Sequence, residues 1–109
     1  MISPDAIRGY IDLIVLSILS ERPSYAYEIA KTITDISNNE YVIKQTTLYS
    51  AVKRLESAGL VTSYSAISDS GKPRTYYSTT PAGTAALELK RAEWEATKTL
   101  IDRFSKGAL

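Results

Sequence analysis

Between Gln45 and Pro81 the hydrophobic period changes twice, and this order restricts the fold more than any other feature of the chain. In QTTLYSAVKRLESAGL, residues 45–60, Leu48, Val52 and Leu55 recur at i, i+4 and i+7, joined by Ala51 and Ala58. That spacing gives one apolar stripe on an α-helix. Gly59 tolerates the left-handed backbone that stops a helix, and Leu60 supplies the apolar contact of such a terminator. LVTSYSAI at 60–67 is then β-branched and aromatic with partial alternation, SDSGKP at 68–73 is a turn, and RTYYSTT at 74–80 is a second strand. Together they predict a hairpin whose loop exceeds two residues. Thr80-Pro81 opens another helix, a capping hydroxyl followed by proline at the first helical position.

Upstream, Ser3-Pro4-Asp5 is a start of the same kind and predicts a helix to about Leu19. Beyond Ile11 it is apolar nearly all round (Leu13, Ile14, Val15, Leu16, Ile18, Leu19), so it requires cover on more than one side. SERPS at 20–24 breaks the chain at Pro23, with Ser24 as a cap, and YAYEIAKTITDI at 25–36 repeats apolar residues at helical spacing. SNNE at 37–40 ends that second helix, and YVI at 41–43 reads as a short extended piece. Downstream, a helix of about 24 residues begins at Pro81, with Gly107 at its fraying end. On it Leu87, Trp94 and Ile101 lie seven apart, and Ala86, Leu89, Ala96, Leu100 and Phe104 broaden the stripe. A domain of this size has little surface left to cover such a face. Pairing it with the excess of helix 1 across a two-fold axis covers both, which makes Leu87, Trp94, Leu100, Ile101 and Phe104 the expected dimer interface. The alternative is a last helix folded back on its own domain.

Composition narrows the chemistry. The 109 residues are one domain's worth of chain. There is no cysteine and no histidine, so thiolate nucleophiles, imidazole bases and the commonest metal ligands are excluded. No clustered acid pair or glycine-rich phosphate loop replaces them; we expect no catalytic residues, metal or cofactor. The longest apolar run, residues 10–19, is interrupted by Asp12 and falls short of the roughly 20 residues that span a bilayer. With no basic leader, the expectation is a cytoplasmic, nucleoid-associated protein without membrane contact. The net charge of +1 conceals an asymmetry: residues 1–43 carry three basic and six acidic side chains, residues 44–76 five basic and two acidic. The middle third is therefore the part suited to a polyanion.

Three short helices, a hairpin and a long helix make a mainly α fold with a β-hairpin wing (α+β), a winged helix-turn-helix followed by a C-terminal dimerisation helix. The expected division is residues 1–80 for DNA binding and 81–109 for dimerisation. In such a plan the third helix enters the major groove and the hairpin meets the backbone or minor groove. Turning Leu48, Val52 and Leu55 inward leaves Gln45, Thr46, Tyr49, Ser50, Lys53, Arg54 and Ser57 outward, with Thr47 near the boundary. Amides and hydroxyls near the helix start suit base edges and phosphates, Lys53 and Arg54 suit phosphates, and Lys72 and Arg74 put two cations on the hairpin tip. The plainer alternative is a solvated helix face and a polar turn.

These stretches also resemble the PadR family of bacterial transcriptional regulators. The matching pieces are YAYEIAKTI at 25–33, TTLYSAVKRLESAGLV at 46–61 and GKPRTYYSTTPAG at 71–83. Ala26 stands where the family has glycine, Ser50 where it has proline and Thr79 where it has leucine. The length is similar to that of the short subgroup, which includes multidrug-responsive repressors. The resemblance implies a homodimeric repressor whose C-terminal helix crosses the partner. It would bind a palindromic operator in double-stranded DNA and be released by a small effector. It also implies that Thr47, Tyr49, Lys53 and Arg54 are recognition-helix contacts and that Lys72 and Arg74 are wing contacts. Tyr25 and Tyr27 either pack or reach a phosphate. In some similar regulators the matching tryptophan stacks on flat aromatic drugs between subunits, which makes Trp94, with Ile11 and Val15, the expected effector site. Trp94 has an alternative role as a packing anchor. A second reading of the whole chain is a winged helix that docks an acidic protein without specific DNA binding.

Overall fold

The computed structural model describes residues 2–107. A one-turn helix α1 (Pro4–Ile7) passes through a 3-10 turn at Arg8–Tyr10 into α2 (Ile11–Glu21). Then follow β1 (Ser24–Tyr25), α3 (Ala26–Ile36), α4 (Gln45–Ser57), β2 (Val61–Ile67), β3 (Pro73–Thr79) and α5 (Pro81–Ser105). The three strands form an antiparallel sheet in the order β1-β3-β2. Among the described residues no helix is long and apolar enough to cross a membrane.

Local chemistry accounts for most boundaries. Ser3 Oγ accepts the Ala6 amide and Pro4 occupies the first turn of α1. The single helix predicted from the Pro4 start to Leu19 is in fact broken at Arg8–Tyr10. Gly9 costs about 1 kcal/mol in a helix interior relative to alanine, and no close approach at Gly9 requires the missing Cβ, since one added there would meet open space. Asn38 at φ 52° ends α3: its amide bonds Asp35 O, and that of Asn39 bonds Thr34 O. The same paired bonds close α4, where Gly59 at φ 76° donates to Glu56 O and Leu60 donates to Leu55 O. Ala58, expected on the buried stripe, is the exposed C-cap instead. Residues 41–43 form no strand; Ile43 is an anchor into the core from an unpaired segment.

The core sits where α2, α3, α4 and the sheet meet. Val15, Leu16, Ile29, Leu48, Ala51 and Val52 have no exposed surface, and Leu19, Leu55, Val61, Tyr77 and Leu87 have almost none. Thr80 joins the wing to α5: its Oγ1 accepts from the Gly83 amide at 3.1 Å and donates to Gly59 O at 2.7 Å. Past Leu87 most of α5 leaves the core, and the molecule measures 57 × 30 × 21 Å.

Candidate nucleic-acid interface

Burial of Leu48, Ala51, Val52 and Leu55 turns the opposite face of α4 to solvent. Gln45, Thr46 and Ser50 are exposed, Thr47 is half-buried at the edge, and Tyr49 is 48% exposed. No side chain caps the N-terminus of α4 at Lys44, so its first amides keep their donors and the positive end of the helix dipole faces outward. Lys53 Nζ lies 3.5 Å from Glu56 Oε1, and Ser63 Oγ donates to Glu56 Oε2 at 2.6 Å. The Ser63 hydroxyl foremost, and Lys53 after it, hold the Glu56 carboxyl below its ordinary range. Glu56 thereby ties α4 to strand β2.

Arg54 does not stand free on this face. Its guanidinium pairs with Asp12 in the first turn of α2, at 2.5 Å to Oδ1, and this hydrogen bond raises the already high Arg54 pKa. Arg54 lies on the flank of α4 that packs against α2, and Asp12 is the charge interrupting the apolar run of that helix. An exposed pair of this kind contributes about 0.2–1 kcal/mol, and here it fixes α4 relative to α2. The sequence marked both residues without their pairing, because 42 positions separate them.

The two wing cations also separate. Lys72 is exposed at the tip, where Gly71 takes φ 82° and Ser68 and Lys72 close the loop through a 2.8 Å backbone bond. Arg74 is half-buried, its guanidinium carbon 5.2 Å from the Tyr25 ring centroid. Tyr25 meets Tyr76 edge-on at 5.3 Å, and Tyr76 stacks on Tyr64 at 5.8 Å. Burial foremost raises the Tyr76 hydroxyl pKa. This ladder follows from the register, which pairs Tyr25 with Tyr76 and Tyr76 with Tyr64. Beside it lies a cleft of about 450 Å³, bounded by Tyr25, Tyr27, Tyr49, Lys53, Arg74 and Tyr77 among others. The two-residue strand that builds it, Ser24–Tyr25, is too short for any periodicity and went unpredicted.

A basic recognition helix beside a cationic wing is the geometry of a DNA-binding module, and comparison with known proteins decides which. The sequence model of the transcriptional regulator PadR-like family matches residues 15–89. The chain belongs to the PadR-like family. An uncharacterised protein of Lysinibacillus sphaericus is 40% identical over 108 residues, 98% of each chain. A transcriptional regulator from Clostridium thermocellum is 49% identical with a TM-score of 0.86, over 95% of this chain and 98% of that one. A PadR family transcription regulator from Clostridium difficile is 40% identical with a TM-score of 0.76, over 88% and 98%. This PadR-family protein is therefore a DNA-binding transcriptional regulator and not an enzyme.

The residues expected at a dimer or effector site of this PadR-family regulator divide by burial. Leu87 is 2% exposed and packs in the core of its own protomer, so its apolar surface is already used there. Ile11 and Val15, expected to line an effector site, are likewise core residues at 7% and 0%. Trp94 stays at the surface, edge-on to Tyr10 at 5.0 Å with Lys98 Nζ 6.0 Å from its ring centroid. A cleft of about 160 Å³ opens between Tyr10, Leu13, Lys90 and Trp94. Leu100, Ile101 and Phe104 are exposed on the outer half of α5.

Proposed function

We propose that this PadR-family regulator is a homodimeric repressor that binds a palindromic operator and is released by a small, planar aromatic effector. The observation that carries the dimer is the uncovered apolar surface. Leu100, Ile101 and Phe104 stand 49–58% exposed on α5, while Leu13, Ile14 and Ile18 of α2 face an open apolar groove of about 320 Å³. A second copy related by a two-fold axis covers both. Residues 1–80 then act as the DNA-binding unit and 81–109 as the dimerisation helix, of which positions 108 and 109 lie outside the described residues. Gln45, Thr46, Thr47, Tyr49 and Ser50 address base edges, and Lys53 and Lys72 address phosphates. The two recognition helices meet half-sites about 34–36 Å apart, or a multiple of that. The regulator then resides in the cytoplasm on the nucleoid. The cleft beside Trp94 is smaller than the roughly 300–1,000 Å³ of ordinary ligand sites, so the effector site is completed by the partner copy.

A mobility-shift titration on the DNA upstream of its own gene tests this reading. We expect specific binding whose logarithm falls with log salt at about −0.9 per phosphate neutralised. Lys53→Ala weakens binding to all sequences, whereas Thr47→Ala acts mainly on the cognate one. A panel of planar aromatics quenches Trp94 fluorescence and releases the DNA. A flat salt dependence, with an acidic protein co-purifying, favours the protein-docking reading instead.

A further inference from the structure

The cleft between the start of α3, the recognition helix and the wing is not explained by packing. Its register shows how it arises. Tyr25 pairs with Tyr76, and the chain then leaves the sheet to enter α3. On that side Arg74 and Thr75 of β3 lose their β1 neighbour, and the cleft opens beside them. None of the residues lining it carries a carboxylate; the lining is two cations, four tyrosines and small or uncharged polar residues. A cavity with charge of one sign and low-dielectric aromatic walls concentrates its field on an anion.

Arg74 supplies an independent observation. Its Nε is shielded from solvent and has no hydrogen-bond partner among the described residues. Buried donors are almost always paired, so an orphan points to a missing acceptor. The guanidinium carbon lies 5.2 Å from the Tyr25 ring centroid, and the forked donors of an arginine suit a phosphate. No side chain caps α3 at Tyr25, so a third source of positive potential adjoins the cleft. Tyr27, 63% exposed at the mouth, is an available hydroxyl donor.

We propose that this cleft is a phosphate clamp for the DNA backbone, in which Arg74 and Lys53 grip one phosphate per protomer with Tyr25 as the platform that orients Arg74. The proposal rests on the DNA-binding reading and moves Arg74 from the wing tip to an inner contact. Lys72 remains the tip contact. When the phosphate enters, Lys53 exchanges Glu56 for the phosphate, and Glu56 keeps its bond from Ser63.

Measuring salt dependence with the DNA upstream of its own gene tests the clamp. Arg74→Gln is expected to flatten the log–log slope by about 0.9 per protomer engaged. Arg74→Lys keeps the charge but loses the fork and the stacking, and it is expected to recover little of the affinity. Methylphosphonate substitution, one phosphate at a time, should find a single position per half-site whose neutralisation weakens wild type but not Arg74→Gln. Thermal melts of both variants check that they remain folded. An unchanged slope in folded Arg74→Gln, or equal methylphosphonate profiles, overturns the clamp while leaving DNA binding intact. Failure of wild type to bind DNA at all overturns the underlying reading instead. Stabilisation of wild type but not Arg74→Gln by inorganic phosphate, against chloride at equal ionic strength and with the DNA profile unchanged, marks a free-anion site and also overturns the DNA assignment.

Discussion

Ser63 and Glu56 show how one hydroxyl shapes the exposed face of α4 without lying on it. The 2.6 Å bond from Ser63 makes ionisation of Glu56 easier, and the ionised carboxylate then attracts Lys53 at 3.5 Å. The Glu56 pKa is lower in the folded state than in the unfolded state. The interaction is therefore fully present above the ordinary glutamate value of about 4.3 and is lost as pH falls through the folded value. Ser63→Ala should move the folded value back up toward the ordinary one, and a carboxyl-resolved NMR titration of Glu56 measures it. An unmoved midpoint would mean that Lys53 alone depresses Glu56. Both partners are visible in the sequence, as a polar residue on a helix flank and a serine in a strand. What joins them is the docking of α4 on β2, which no short-range pattern encodes.

The elements were most legible where their ends are fixed locally. Gly59-Leu60, Thr80-Pro81 and the 68–73 turn carry their own chemistry, and the hairpin and the start of α5 fall where that chemistry placed them. The strand Ser24–Tyr25 is set by a tertiary partner instead: Tyr25 needs Tyr76 across the sheet. The outward polar face of α4 was legible because a buried stripe defines its opposite. Arg54 is exposed there as expected, but its pairing with Asp12 was not legible, since it is long-range. Gly83 tests the junction between these elements. A Cβ there would lie 2.0 Å from Leu60 O, a backbone atom held by the Leu55 and Thr80 bonds of its residue. In an open helix, Gly→Ala stabilises by up to about 1 kcal/mol. Here the clash costs more, about 1–3 kcal/mol as for an overpacked core. Gly83→Ala is therefore expected to lower the thermal midpoint, at about 4–8 °C per kcal/mol lost. A rise would show that α5 does not approach Leu60 so closely.

At the scale of the molecule, shape argues for a partner. The Cα radius of gyration is 15.4 Å, against roughly 13 Å for a compact chain of this length. The excess comes from α5, whose 25 residues extend about 37 Å while its buried residues lie in the first two turns. Among the described residues its ion pairs, Arg91–Glu88, Lys98–Glu95 and Lys106–Asp102, all lie within the helix or reach its C-cap, so they support the helix but do not dock it. The outer half must therefore gain its cover from another copy or remain an exposed apolar strip. Ile101→Glu combined with Phe104→Glu places two charges on that strip, at positions where the protomer core has no contact to lose. We expect the protomer to keep its helical signal and to sediment as a monomer at concentrations where wild type is a dimer. Each protomer then holds a single half-site, and operator affinity falls on the order of 10²–10⁴-fold as the second contact loses its effective concentration. Binding to an isolated half-site should change far less, because the α4 face and the wing are untouched. A double variant that still sediments as a dimer would place the interface elsewhere, on the α2 groove lined by Leu13, Ile14 and Ile18.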